Sequence, residues 1–204
     1  MKPMPLEVPG VEDCLTLMAQ YHMLPNIRAH SIVVARVAEI ITNGLIEAGH
    51  ELALELVIAG ALLHDIGKTA CLESNEDHAV HGHEICLNHN LEAIAPIVAE
   101  HVILKNYRDD GVFTEKEIVY YADKRVNHDQ VVSLEERLTY ILERYGHNNE
   151  IRCRAIRNNY ARCRDLELKM FLPLEFEPDD ISGLIHSRQS IITQLDGNNI
   201  SPPA

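Results

Sequence analysis

Apolar residues recur along this chain at intervals of three and four almost from end to end. Over residues 27–49, Ile27, His30, Val34, Val37, Ile41 and Leu45 fall on one stripe, the mark of an amphipathic helix. Gly49 supplies its stop. Residues 51–67 are apolar on nearly every side, which predicts a buried central helix running to Gly67. The steps Leu52, Leu56, Ala59 and Leu63 favour helix over buried strand. Residues 73–84 read as a polar loop leading into two short helices, over 84–90 and 91–104. Thr114 with Glu117, and Ser133 with Glu136, have capping-box spacing. They open helices over 114–129 and 133–146, the second ending at Gly146. A long helix over 149–170, a helix start at 178–180 and a loose tail follow. The pattern contains no Asn-Gly hairpin signal between alternating runs, no Gly-rich phosphate loop and no internal repeat. The predicted class is all-α, with a core over 1–146 and a helical extension over 147–204 packed on it.

Composition narrows the partners. The 204 residues are 46% hydrophobic and 24% charged, as in ordinary globular chains. The first ten residues lack the apolar run of a signal peptide. Residues 52–63 read as the longest apolar-rich stretch, short of the ~20 residues that span a bilayer. A cytoplasmic protein without a membrane partner is expected. The five cysteines form no CxxC pair, so reduced thiols are expected rather than a disulfide frame or zinc knuckle. A net charge of −13 disfavours duplex nucleic acid as the main partner. Few aromatics and no tryptophan argue against a base-stacking platform. Residues 150–164 carry five of the eighteen Lys and Arg residues and read as a basic helix face. The unusual feature is twelve histidines, six of them within residues 64–101.

Two of the chain's polar residues close the apolar run: His64 and Asp65. Neighbouring helical residues point about 100° apart, so the two can share one ion only at a helix end, between helices. Imidazole and carboxylate are good ligands for divalent transition metals. His30 lies on the core stripe of its own helix, and Asp123 lies beside Ile118, Val119 and Ala122 on another apolar face. Any one of these, taken singly, is most simply a satisfied core polar group. Four inward ligand types on three apolar helices point to a metal.

"HSIVVA" at 30–35, "ALLHDIGK" at 61–68 and "YYADKRV" at 120–126 resemble, in order and spacing, the HD-domain metal-dependent phosphohydrolases of the HDIG type. The likeness covers about residues 25–146. It implies an all-α HD-domain helical bundle and a metal held by His30, His64, Asp65 and Asp123. It also implies hydrolysis of a phosphoester or phosphoanhydride, commonly in a nucleotide, by a metal-activated water. "DHAVHGHEI" is similar to the family's H-x-x-x-G element, which sets His78 and Gly82 on that motif; His101 is similar to a further family histidine. These two histidines either complete a second metal site or contact substrate phosphate. The signature of the cyclic-di-GMP branch is missing at 100–111, and the simpler nucleotidase and dinucleoside-polyphosphate hydrolase branch is the nearer likeness.

The expected catalytic residues are therefore Asp65, as ligand and orienter of the water, His78 and His101 on the phosphate, and Lys68 neutralising its charge. Lys68 is equally well placed to favour the dipole of the helix it ends. Lys124 and Arg125 are expected to point away from the face of Asp123. The His-rich mixed ligand set suits Fe, Mn, Co, Ni or Zn better than Mg. A phosphorylated small molecule is the expected partner, specificity is expected chiefly in residues 71–90 and 104–114, and homodimer formation is left open. The alternative is a non-catalytic nucleotide-binding sensor on the same fold, its surface in 147–204.

Overall fold

The computed structural model describes residues 8–74, 76–105, 107, 111–147, 149–187 and 190–192. Helix α1 (Val11–Gln20) leads into α2 (Pro25–Glu47), which opens with proline at its first position, where the missing N–H is no loss. Gly49, at φ +93°, follows its last turn, and His50 N–H and Gly49 N–H return to the carbonyls of Leu45 and Ile46. Helix α3 (Leu54–Leu63) is the centre: every residue from Val57 to Leu63 is buried. It packs against α2, α6 (Glu115–Lys124), α1 and α5 (Ala95–Glu100). Helix α4 (His78–Asn88) pairs with α5. Helices α7 (Leu134–Tyr145) and α8 (Glu150–Phe171) pair beside α6, and α9 (Ile181–Ser187) lies on α2. The described residues thus form nine α-helices, and the all-α class stands.

The structure departs from the sequence pattern in five places, each with a local cause. The central helix is shorter than 51–67. It begins at Leu54, where the Ala53 N–H donates to Glu115 Oε1 at 3.0 Å, and it ends at Leu63. Tight turns follow, with Ile66 N–H bonded to Leu63 O and Lys68 N–H to Asp65 O. His64 and Asp65 therefore sit just beyond the helix end. Second, half of the expected polar loop is helix: Asp77 caps α4 by accepting from the Ala79 N–H at 2.9 Å. His78, His81 and His83 are thus helical.

Third, the helix expected to run to 129 stops at Lys124 and gives way to a small antiparallel hairpin. Val126–Asn127 (β1) pairs with Gln130–Val131 (β2) around His128, whose φ is +54°. Fourth, Lys124 is buried and turns back towards Asp123, while Arg125, also buried, makes its contacts away from Asp123 as expected. Fifth, α2 rather than 52–63 is the longest apolar segment. Its 23 residues, at mean hydropathy 1.3, are long and apolar enough to cross a membrane by length and composition alone. Two-thirds of that window (67%) is buried inside the protein, as for a core helix. None of the five cysteines is paired.

Candidate metal centre

Four imidazoles stand in a row between α2, the end of α3, α4 and the end of α5. His30, His64, His101 and His78 meet edge to face in that order, with centroids 5.4, 5.0 and 5.1 Å apart. Three of them are fixed by the backbone. His30 Nδ1 lies 2.8 Å from His128 O, His64 Nδ1 2.7 Å from Ala61 O, and His101 Nδ1 2.6 Å from Val98 O. A carbonyl only accepts, so each Nδ1 carries the proton and each Nε2 presents its lone pair inward when the ring is neutral. Carbonyl-tethered imidazoles of this kind are how proteins orient metal ligands.

Asp65 divides the row. Its Oδ2 lies 3.5 Å from His64 Nε2, and its Oδ1 lies 3.4 Å from His78 Nε2 and 3.5 Å from His101 Nε2. His30, His64 and Asp65 form one cluster able to hold an ion, and Asp65, His78 and His101 form another. Asp123 stands beside the first cluster, with Oδ1 3.1 Å from His30 Nε2 and 3.7 Å from His64 Nε2.

This donor set fits a divalent cation. His64 Nε2 is wholly buried and has no hydrogen-bond partner, and an orphaned buried polar atom is costly. His78 Nε2 and His101 Nε2 face each other at 3.2 Å. His30 Nε2 meets a carboxylate oxygen although its proton is on the other nitrogen. Converging lone pairs need a cation or extra protons between them. Mixed imidazole and carboxylate donors suit a transition metal.

Electrostatics follow the same geometry. Burial pushes the His78 pKa down to about 4 and lowers that of His101. Burial also pulls on His64, but Asp65 and Asp123 outweigh it and leave its pKa raised. Both carboxyl groups resist burial: His64 and Lys68 hold Asp65 well below the usual range, and Lys124 and the His30 hydrogen bond do so for Asp123. Lys68 Nζ lies 2.7 Å from Asp65 Oδ2. Its charge, expected to meet substrate phosphate, is paired here with Asp65.

Two glycines bring the halves together. A Cβ on Gly67 would lie 2.6 Å from both Gly82 N and His78 O. The turn after Asp65 and the first turns of α4 therefore touch backbone to backbone, which carries His78 to Asp65. The "HDIG" glycine and the H-x-x-x-G glycine are thus one packing contact.

A family model described as the HD domain matches residues 27–128, half of the chain. The chain belongs to the HD-domain family. The HD-domain match contains His30, His64, Asp65, His78, His101 and Asp123, all six gathered at the centre. The chain is also 33% identical over 109 residues to a tRNA (cytidine(56)-2'-O)-methyltransferase of Picrophilus torridus. That likeness covers 46% of this chain and 30% of the relative, so the chain spans less than a third of that protein's length. No solved structure gives a significant match.

Several residues at the centre escaped the sequence. Lys124 turns back, its Nζ donating to His101 O at 2.6 Å and standing 3.3 Å from Asp123 Oδ2. Arg137 reaches in from α7 to 3.9 Å from Asp123 Oδ1, held by Asn127 Oδ1 at 3.0 Å. The Ser133 cap and the Leu134, Leu138 and Ile141 stripe put Arg137 on the inner edge of α7, a signal visible only once α7 is known to face the centre. The cavity over His30 and Asp65 is about 160 Å³ and is walled by the start of α2 and by α7. Leu72 alone comes from 71–90, and no described residue of 104–114 lines it.

Proposed function

We propose that this HD domain is a metal-dependent phosphohydrolase that cleaves a phosphoester or phosphoanhydride bond in a nucleotide. The observation that carries the reading is Asp65, whose two carboxylate oxygens face two different sets of imidazole Nε2 atoms. His30, His64, Asp65 and Asp123 would hold one divalent ion, and Asp65, His78 and His101 a second. Bound there, such ions would acidify water towards neutral pH and polarise a phosphoryl oxygen.

The chain's own residues do the rest. Asp65 stays ionised, faces both clusters and would orient the attacking water, whose proton the metal-lowered pKa releases to solvent. The His128, Ala61 and Val98 carbonyls hold three rings in register, so little reorganisation accompanies reaction. Lys68 and Lys124 balance the two carboxylates, while Arg137 and Arg144, lining the cavity, attract and orient an anionic substrate. The buried apolar walls of α3 keep bulk water from the inner face.

The printed activity of the relative is methyl transfer to a tRNA cytidine. Only 30% of that protein is matched, so methyl transfer is not carried to this chain. The likeness adds an association with an enzyme of nucleotide chemistry. The preferred ion is a transition metal rather than magnesium, the setting cytoplasmic, and the partner a small phosphorylated molecule rather than duplex nucleic acid.

A panel of nucleoside mono- and polyphosphates and dinucleoside polyphosphates, assayed with Mn²⁺, Fe²⁺, Co²⁺ or Ni²⁺, tests the proposal. Release of phosphate or nucleotide from at least one class, lost in Asp65→Asn, is expected. Tight binding of a nucleotide with no turnover of any compound would replace it with the sensor reading.

A further inference from the structure

Beside the centre lies a second cavity, of about 210 Å³, between α7, α8 and the end of α6. Val102, Ile103, Ile141, Ile156 and Tyr160 make its apolar wall, and Asp123 reaches its floor. Arg137 and Ile141 also bound the cavity over His30 and Asp65, so the two spaces share one partition. Each is smaller than the ~300 Å³ at which small-molecule sites usually begin. Only a ligand occupying both would have a site of ordinary size.

The partition is chemically distinctive. Arg137 is 9% exposed. Its Nη1 is held by Asn127 Oδ1, its Nη2 stands 3.9 Å from Asp123, the Tyr160 hydroxyl interacts with the guanidinium, and its Nε is buried with no partner. A buried guanidinium N–H without an acceptor is costly, and an oxyanion is the acceptor a guanidinium fits best. The other polar groups of the apolar cavity are engaged. Asn159 donates to Val102 O and accepts from Tyr120 Oη, and Lys124 serves His101 O. Arg152, exposed at the mouth, leans on Tyr145 O. Val102 and Ile103 stay exposed at the rim, an apolar edge awaiting cover.

Resting on the phosphohydrolase reading, we propose that the α7–α8 cavity is the subsite for the aromatic or apolar organic group of a phosphomonoester, whose phosphate Arg137 holds at the edge of the metal centre. The substrate class is thus a mononucleotide-like ester, with its base against Ile141, Ile156 and Tyr160. Selectivity among phosphates then resides in α7 and α8, outside the matched HD segment.

Equilibrium binding of adenosine monophosphate and of methyl phosphate to the Mn²⁺-loaded full chain tests this, with turnover of both followed separately. The wild type should bind adenosine monophosphate about tenfold or more tightly than methyl phosphate, a preference set by apolar burial. Ile156→Trp and, independently, Val102→Trp fill the cavity and should bring that ratio to about one. Arg137→Met should weaken both probes about tenfold, with Arg137→Lys recovering part of the loss. Thermal melting and metal content certify that each variant is folded. A preference that survives both tryptophans, or no preference in the wild type, overturns the subsite. Binding as expected without hydrolysis of either ester leaves the subsite standing and defeats the hydrolytic reading. Hydrolysis with the ratio unmoved does the reverse.

Discussion

Asp123 and Arg125 stand two residues apart on and just after α6, the first half-buried and the second buried, both charged, yet their surroundings differ in kind. Arg125 is satisfied. Its Nε donates to Val132 O, its Nη1 to Tyr121 Oη and Glu167, and its Nη2 to Pro178 O. That network ties α6 to the hairpin exit, to α8 and to the turn before α9. Around Asp123 and Asp65 the reverse holds: imidazole lone pairs and carboxylate oxygens converge, and His64 Nε2 has no partner. A buried network with its donors and acceptors matched is a structural staple. A buried cluster of acceptors is a site shaped for a cation.

The sharpest way to break the contrast is to remove one member of each cluster. His64→Ala or Asp65→Ala should lower divalent metal affinity by at least about 100-fold, read as metal content after dialysis. Melting without metal should change far less. Arg125→Met should give the opposite profile: stability falls by about 1–3 kcal/mol, because Val132 O and Pro178 O lose their donor and Glu167 keeps only Tyr121, while metal stoichiometry at low temperature is kept. If Arg125→Met loses metal before it loses stability, the division between staple and site is wrong.

Gly67→Ala joins the two effects. Its new methyl meets backbone atoms of His78 and Gly82, which cannot rotate away, and overpacking of this sort costs about 1–3 kcal/mol. Because α4 must shift, the Asp65–His78–His101 cluster should weaken in metal binding more than His30–His64–Asp65. Titration with Mn²⁺ should therefore show one class of site lost first.

The smallest effect expected is on pH. His78 has a folded pKa of about 4 against an ordinary 6.5. Below pH 6.5 the unfolded chain binds a proton that the folded metal-free chain refuses, so stability falls as pH drops from about 6.5 towards 4. The lowered His101 acts in the same sense. His64, raised, acts oppositely, with a contribution present at low pH and lost as pH rises through its folded value. The share that His78 carries is a modest loss on acidification, isolated by comparing the wild type with His78→Gln. Denaturant melts of both metal-free proteins at pH 7 and pH 5 check it, and an equal deficit at pH 5 in the two would contradict it.

The apolar spacing by itself determined that the chain is helical, that a central helix within 51–67 is buried on nearly all sides, and that His30, His64, Asp65 and Asp123 face inward. Those features are local: a 3.6-residue period and a capping residue are written in neighbouring positions. His78 and His101 could be placed only through the family likeness, because their own segments were read as a polar loop and a plain helix. Tertiary structure alone decided the rest. The hairpin at 126–131 forms because His128 takes a left-handed turn, and its carbonyl then orients a histidine 98 positions away. Lys124 bends inward because His101 O and Asp123 wait there. Arg137 reaches Asp123 because the chain after the hairpin brings the inner edge of α7 to within 3.9 Å of that carboxylate. Periodicity tells which face of a helix is buried; which face of which other helix it meets depends on loops and close backbone contacts, such as Gly67 on Gly82, that a one-dimensional pattern does not encode.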